Sequence, residues 1–471
     1  MVKARSPRTV PAAIICAAAL GATSVLAAAF GGGVKTLMAE AALLANEGWI
    51  MGGTGLADPN TNPTYVQNVE SLYLQQFLTP PGSPDNYQFS SLITPEQFCP
   101  IICTAGQPDL TFGQSVDQGV VNLDGMIRPE LAGGDNVAVL GYSQSATVAT
   151  VEMNNLLNNP PPGDLYKPSD LHVVLLGDPN SQLGGVLDRF QFPDGVQAFS
   201  LDSAPQHLPF LDVPLSLDPT PTSSFPTDIY TIEYDGWGNF PEDPSNLLAD
   251  INALVGIATE HPDYPNPDFV DSTSTITLGT IGDTTFHEIL TPLPILAFLQ
   301  DGGPAGQFFY DLLDPQLALN IDWTYGNPGD PGAGIPVDNV DPIGVAGPWQ
   351  VDATGQLVAS GVAGFVPKMD PLQMLAGEEN AAAHTLIDPI NALLGDAGQS
   401  PLPDPFVNAL LTGYDLTNQL DASLLTTWTD LTASIPALTP DAIFDGAPLI
   451  SGQPLIDLVG VGFDVLNFFG A

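Results

Sequence analysis

A continuous apolar run, Val137-Ala138-Val139-Leu140, breaks into a region where apolar residues otherwise recur at helical spacing, and it predicts a buried strand between two helices. Upstream, Val116, Val120, Leu123 and Ile127 share one helical face before Gly133-Gly134-Asp135 turns the chain. Downstream, Ala146, Ala149, Met153 and Leu157 continue a helix that Pro160-Pro161-Pro162 ends. Further apolar runs predict strands at Trp49-Ile50-Met51, at His172–Leu176 and at Ile229–Tyr234, and a helix follows from Leu247, Leu248, Ile251, Leu254 and Val255. Strands alternating with helices point to an α/β fold with a mainly parallel sheet flanked by helices. Residues 205–226 are proline-rich without helical periodicity and read as a loop or lid. Residues 328–347, within a Gly/Pro-dominated stretch, read as a linker. Beyond it, residues 348–471 carry only short apolar segments, which predict a helical or irregular C-terminal extension of unassigned role, and no internal repeat is evident.

Charge narrows the partners. Eight Lys and Arg stand against 53 Asp and Glu among 471 residues, a formal charge of −45, so nucleic-acid binding is excluded as an expectation because phosphate recognition needs basic side chains. The first 29 residues reverse that composition: Lys3, Arg5 and Arg8 precede an alanine-rich apolar segment, Ala12 to Phe30. This reads as an export signal, either cleaved near Ala27-Ala28-Ala29 or kept as an anchor, and places the chain outside the cytoplasm, secreted or associated with the cell envelope. Cys16 falls in that segment. The remaining pair, Cys99 and Cys103, predicts a small disulfide loop, and a C-x3-C pair without further ligands is a poor zinc site, so no metal is expected.

The chemistry centres on Gly141-Tyr142-Ser143-Gln144-Ser145, directly after the apolar run. An alcohol attacks a carbonyl well only when it is held clear of the sheet, beside a base and near N–H groups that receive an oxyanion, and a strand-to-helix serine elbow supplies all three. The glycine-rich loop Gly52-Gly53-Thr54-Gly55 lacks a phosphate-binding spacing, so its expected role is one half of the oxyanion hole through Thr54, with the N–H of Gln144 as the other half. Two aspartates, Asp178 and Asp235, end predicted strands and compete for the part of triad acid. Asp178 is followed by proline in a turn, and Asp235 lies nearer the downstream histidines and is preferred. Of the histidines after it, His261 sits in a loop after the predicted helix and is the expected base. His287 is the reserve, and His384 lies on an alanine-rich helical stretch with a structural role.

At these residues the chain resembles the PE-PPE domain family, mycobacterial serine hydrolases related in motif to cutinases. The likeness is carried by Gly52–Gly55, Gly141–Ser145, Tyr234-Asp235-Gly236-Trp237-Gly238-Asn239-Phe240-Pro241 with Asn246–Asp250, and His261-Pro262-Asp263-Tyr264. It covers roughly residues 48–327, ending past Asp314-Pro315-Gln316-Leu317, and the family tolerates Ser145 where other hydrolases have glycine. The resemblance implies an α/β-hydrolase fold and esterase or lipase-like activity on an acyl ester or glycolipid substrate, without cofactor. Some relatives look like acyltransferases of cell-envelope glycolipids. A third possibility, from another class, is a non-catalytic envelope surface protein. Two departures stand out: an export signal takes the place of the family's frequent amino-terminal PE or PPE domain, and Asn239 stands where the motif commonly has a second acid. Taking Asp235 as the acid keeps the triad whole.

Overall fold

The computed structural model describes residues 46–77, 87–189, 219–241, 246–270, 274–322, 371–417 and a few shorter pieces, including two-residue strands at 207–208 and 213–214. The export segment, the linker 328–347, ten residues of the loop 205–226 and the end of the C-terminal extension, residues 425–471, therefore lie outside the described residues. Among the described residues, no helix is long and apolar enough to cross a membrane.

Seven strands form one sheet: β1 Asn46–Ile50, β2 Tyr87–Ser91, β3 Val137–Tyr142, β4 Leu171–Leu176, β5 Thr227–Ile232, β6 Thr275–Ile281 and β7 Thr284–Ile289. Their spatial order is β2-β1-β3-β4-β5-β7-β6, with every pair parallel except the β6–β7 hairpin at one edge. The helices longer than one turn are α1 Pro63–Tyr73, α2 Phe112–Gly133, α3 Gln144–Asn158, α4 Leu247–Thr259, α5 Gly303–Asp322, α6 Pro371–Asp396 and α7 Asp404–Leu410.

Side-chain alternation along the strands divides the core in two. Val137, Val139, Val173 and Leu175 face the layer of α2 and α3, meeting Val116, Val120, Leu123, Ile127, Val148 and Met153. Ala138, Leu140, Val174 and Leu176 face the other layer, with Tyr65, Val69 and Tyr73 of α1 and with Tyr264. Because both faces of β3 and β4 are covered, these strands are apolar apart from His172 near the start of β4, which is the pattern that made them readable. Helix α2 starts on a capping box between Thr111 and Gln114 and stops at Gly134, whose φ of 81° ends the helix at the turn the sequence predicted.

The expected strands and helices around the elbow are present, with limits shifted by a few residues: β5 ends at Ile232 rather than Tyr234. Strands β2, β6 and β7 were not expected. Gly282-Asp283 is a tight turn that joins β6 to β7, so His287 lies within a strand. The described part of the C-terminal extension opens with a small antiparallel hairpin, Trp349–Val351 against Leu357–Ala359, and is helical from residue 371: α6 lies against α5, where Gln316 donates to Glu378, and Thr417 donates to Glu379 at 2.6 Å as the chain returns along α6. His384 bonds Asp388 within α6 at 3.1 Å, in keeping with a structural role.

The strand order places the site. From β1 the chain runs outward to β2 and then crosses back beneath the sheet through α2 to β3, so the loops leaving β1 and β3 diverge and open a crevice at the carboxyl edge. Those two loops carry Gly52–Gly55 and Ser143.

Candidate active site

Ser143 is the residue between β3 and α3, and its backbone has φ 58° and ψ −118°. A non-glycine residue at positive φ is strained, and such strain is typical of a serine raised on a strand-to-helix elbow. The turn is held from below. Tyr142 N–H donates to Ser145 Oγ at 2.8 Å, that hydroxyl donates back to Tyr142 C=O at 3.1 Å, and Ser143 N–H donates to Leu176 C=O at 2.9 Å. Ser145 thus does more than replace a glycine, since its hydroxyl staples the elbow. Ser143 is 9% exposed.

The glycine loop touches the elbow directly: a Cβ at Gly53 would sit 3.3 Å from the Ser143 Cβ and 2.9 Å from the Tyr142 ring. Only glycine lets this loop come so close. Thr54 follows it, half-buried. On the other side Gln144 opens α3, so its N–H is among those a helix cannot pair internally and is available to an anion.

Asp235 and His261 meet as a pair. His261 Nδ1 lies 2.7 Å from Asp235 Oδ2, and Asp235 is fully buried. The carboxylate takes two more donors, the Tyr264 O–H on Oδ2 at 2.9 Å and the Trp237 N–H on Oδ1 at 3.0 Å. Tyr264 is itself fixed, because its oxygen accepts from Ile232 N–H at 2.9 Å; burial and the nearby Asp235 charge push its hydroxyl pKa well up, so it remains a donor. The loops bearing Asp235 and His261 are also joined through Thr291, whose N–H donates to Glu233 at 2.9 Å and whose O–H donates to Glu260 at 2.8 Å. His261 Nε2, the nitrogen left over, is buried with no hydrogen-bond partner among the described residues.

Gly177 ties the pair to the elbow. A Cβ there would lie 2.9 Å from both Asp235 Oδ2 and His261 Cε1, while the neighbouring Leu176 carbonyl receives the Ser143 N–H. The imidazole and the serine thus flank one peptide step at the end of β4. Tyr142 reinforces this, its hydroxyl donating to the His261 carbonyl at 2.6 Å and its ring centroid lying 5.3 Å from the imidazole.

The reserve candidates do other things. Asp178 also ends β4, but its oxygens are taken by Asn180 N–H at 3.0 Å and Thr220 O–H at 2.6 Å, and burial raises its pKa to about 6. It pins the turn after β4. His287 bonds Asp228 at 3.0 Å and Thr277 at 3.2 Å and stacks on Tyr230 at 4.4 Å, within the sheet and away from the elbow. Asn239 donates to Glu233 C=O at 3.3 Å rather than to the histidine, so the missing second acid of the motif leaves the His261–Asp235 pair intact. Cys99 and Cys103 are joined as a disulfide. Sequence reasoning assigned no part to Tyr264 or Trp237, although both lie in the motif stretches. The cue was a tyrosine three positions after the histidine, in the same loop.

The PE-PPE domain model matches residues 84–326, about half of the chain. Among curated proteins, "Esterase PE16" of Mycobacterium tuberculosis is 37% identical over 314 residues, covering 64% of this chain and 53% of the relative. "Uncharacterized PPE family protein PPE28" of the same organism is 33% identical over 320 residues, 66% of this chain and 44% of the relative. "Diacyltrehalose acyltransferase Chp2", also of M. tuberculosis, is 27% identical over 262 residues, 53% of this chain and 68% of the relative. The chain thus spans about half the length of the first two relatives.

Proposed function

The chain belongs to the PE-PPE domain family, and from that membership and the geometry at the crevice we propose that it is an exported serine hydrolase acting on carboxylic esters of acyl or lipid substrates. The observation that carries the reading is a strained, positive-φ serine placed across Gly177 from a histidine whose far nitrogen is held by a buried aspartate. The 37% identity to a protein named an esterase supports the same chemistry.

Each step uses residues of this chain. Ser143 Oγ attacks the acyl carbon while His261 Nε2 takes its proton, and Asp235 stabilises the imidazolium through Nδ1. The carbonyl oxygen becomes an oxyanion received by Gln144 N–H and Thr54. Collapse breaks the ester bond, the departing alkoxide takes the proton from His261, and an acyl-serine remains. Water activated by the same imidazole then releases the acid and restores the serine. No cofactor takes part.

Export rests on the basic start and the apolar segment that follows it, with peripheral contact at the cell envelope as the consequence. A second reading is favoured by the likeness to a protein named a diacyltrehalose acyltransferase: a sugar hydroxyl in place of water would resolve the acyl-serine on another glycolipid. Product analysis with and without a trehalose-type acceptor separates the two. For the shared first half, Ser143→Ala is expected to lower turnover of p-nitrophenyl butyrate by about 10⁴-fold or more with an unchanged melting temperature. Unchanged turnover would reject Ser143 as nucleophile, and a chain inert to ester substrates and probes alike would favour a non-catalytic envelope surface protein.

A further inference from the structure

Gln144 is the first residue of α3, yet its side chain is 1% exposed and fully engaged. Its Nε2 donates to the Gln97 carbonyl at 2.9 Å, and its Oε1 accepts from the Ser115 hydroxyl at 2.7 Å. Ser115 Oγ in turn accepts from Gln97 N–H at 2.9 Å. These bonds close a ring through Gln97, Ser115 and Gln144, three residues from a loop and two different helices.

One residue before Gln97 the same segment holds the glycine loop. The Glu96 carbonyl accepts from Gly55 N–H at 2.8 Å, and Glu96 itself sits at φ 48°, a left-handed conformation that aims successive carbonyls at different partners. Its side chain is buried and receives the Thr94 hydroxyl at 2.7 Å. The segment Glu96–Gln97 therefore grips both loops expected to form the oxyanion hole: Gly52–Gly55 through one carbonyl and the start of α3 through the next.

We propose that Gln97, Ser115 and the Gln144 side chain act as a positioning unit that sets the spacing of the oxyanion hole. The inference rests on the esterase reading and deepens it. Donors stabilise an oxyanion only when they lie about 2.7–3.1 Å from where it forms, so a backbone N–H at the edge of a crevice needs a fixed mount. A side-chain amide that donates and accepts is the group that can tie its own backbone to two other elements at once. Gln97 enters the unit through its backbone, and the Ser115 and Gln144 side chains bond it and each other rather than Ser143 or His261. They act through the Gln144 N–H.

The test compares Gln144→Met, which keeps the backbone N–H and side-chain length but loses both bonds, with Ser115→Ala and with Ser115→Thr, which retains a hydroxyl. For each, kcat and KM are measured with p-nitrophenyl butyrate, Ki with an acyl trifluoromethyl ketone whose tetrahedral adduct carries an oxyanion, and melting temperature as a control on folding. The expected result for Gln144→Met and Ser115→Ala is a fall in kcat of about 10-fold or more, with Ki rising by a similar factor and KM changing by less than about threefold. Ser115→Thr is expected to recover most of the loss. Variants that melt lower but keep both kcat per folded molecule and Ki would overturn the proposal, as would equal losses in Ser115→Thr and Ser115→Ala. Should wild-type protein fail to react with a fluorophosphonate, the esterase reading falls and this inference with it. Reactive wild type with unaffected variants overturns this inference alone.

Discussion

Replacing Asp235 by asparagine removes one charge while keeping the shape, and the donors around that carboxylate determine how much catalysis is lost. Its two oxygens serve three donors: Oδ2 takes His261 Nδ1–H at 2.7 Å and Tyr264 O–H at 2.9 Å, and Oδ1 takes Trp237 N–H at 3.0 Å. Asparagine offers one oxygen. With the amide oxygen toward Trp237, its NH2 faces the histidine and the tyrosine, and the imidazole can pair only by presenting a bare Nδ1. The ring proton then sits on Nε2, the atom that has to accept the proton of Ser143. With the amide reversed, the NH2 meets Trp237 N–H in a site with no solvent access. The wrong tautomer costs about 10⁴ in kcat in serine triads, or roughly 5.5 kcal/mol of transition-state stabilisation at about 1.36 kcal/mol per decade. The assay is steady-state hydrolysis of p-nitrophenyl butyrate near neutral pH, with circular-dichroism melting to establish that the variant is folded. A folded Asp235→Asn enzyme within about tenfold of wild-type kcat would refute the assignment of the acid.

Asp178→Asn keeps the Thr220 and Asn180 contacts in modified form, so activity is expected within about threefold of wild type, read in the same assay. Gly177→Ala puts a methyl 2.7 Å from the Tyr264 ring and 2.9 Å from His261, at a φ of 54°, and is expected to cost about 100-fold or more in kcat/KM. Tyr264→Phe removes a donor from Asp235 and the acceptor of Ile232 N–H, which is expected to lower stability by roughly 2–3 kcal/mol in urea titration. Burial pushes Glu96 and Glu152 up to about 8, Asp314 to about 7 and Asp178 to about 6. Each keeps its proton in the folded chain at pH values where the unfolded chain has lost it, so the native state binds more protons and stability declines as pH rises from about 4.5 to about 8. The melting temperature is expected to be several degrees lower at about pH 8 than at about pH 5, and Glu96→Gln should flatten that slope; a melting temperature that climbs across this window would contradict it.

The sequence exposed the centre of the fold because that centre is buried on both sides. β3 and β4 are apolar apart from His172, and helical spacing on either side of β3 brackets the serine. Scarcity helped with the histidine, since only three of the five follow Asp235. The edge strands were hidden for the converse reason: β2 reads Tyr-Gln-Phe-Ser-Ser, and the β6–β7 hairpin is rich in threonine with one face partly exposed, so neither carries a continuous apolar signal. The parts of the site that went unread depend on contacts across long stretches of chain. The ring of Gln97, Ser115 and Gln144 spans separations of 47 and 29 residues, and amides and hydroxyls at such distances have no periodicity to betray them. Asp178 and His287 show the limit from the other direction, since residue type and order admitted both and only their neighbours decide which groups they bond.

The central claim is that one serine is a nucleophile. Treating the full chain with a fluorophosphonate and mapping the modified peptide by mass spectrometry tests it most directly. Stoichiometric modification at Ser143, abolished in Ser143→Ala and strongly slowed in His261→Ala, is the predicted result. Absence of modification in folded protein, or modification at another residue, would contradict it.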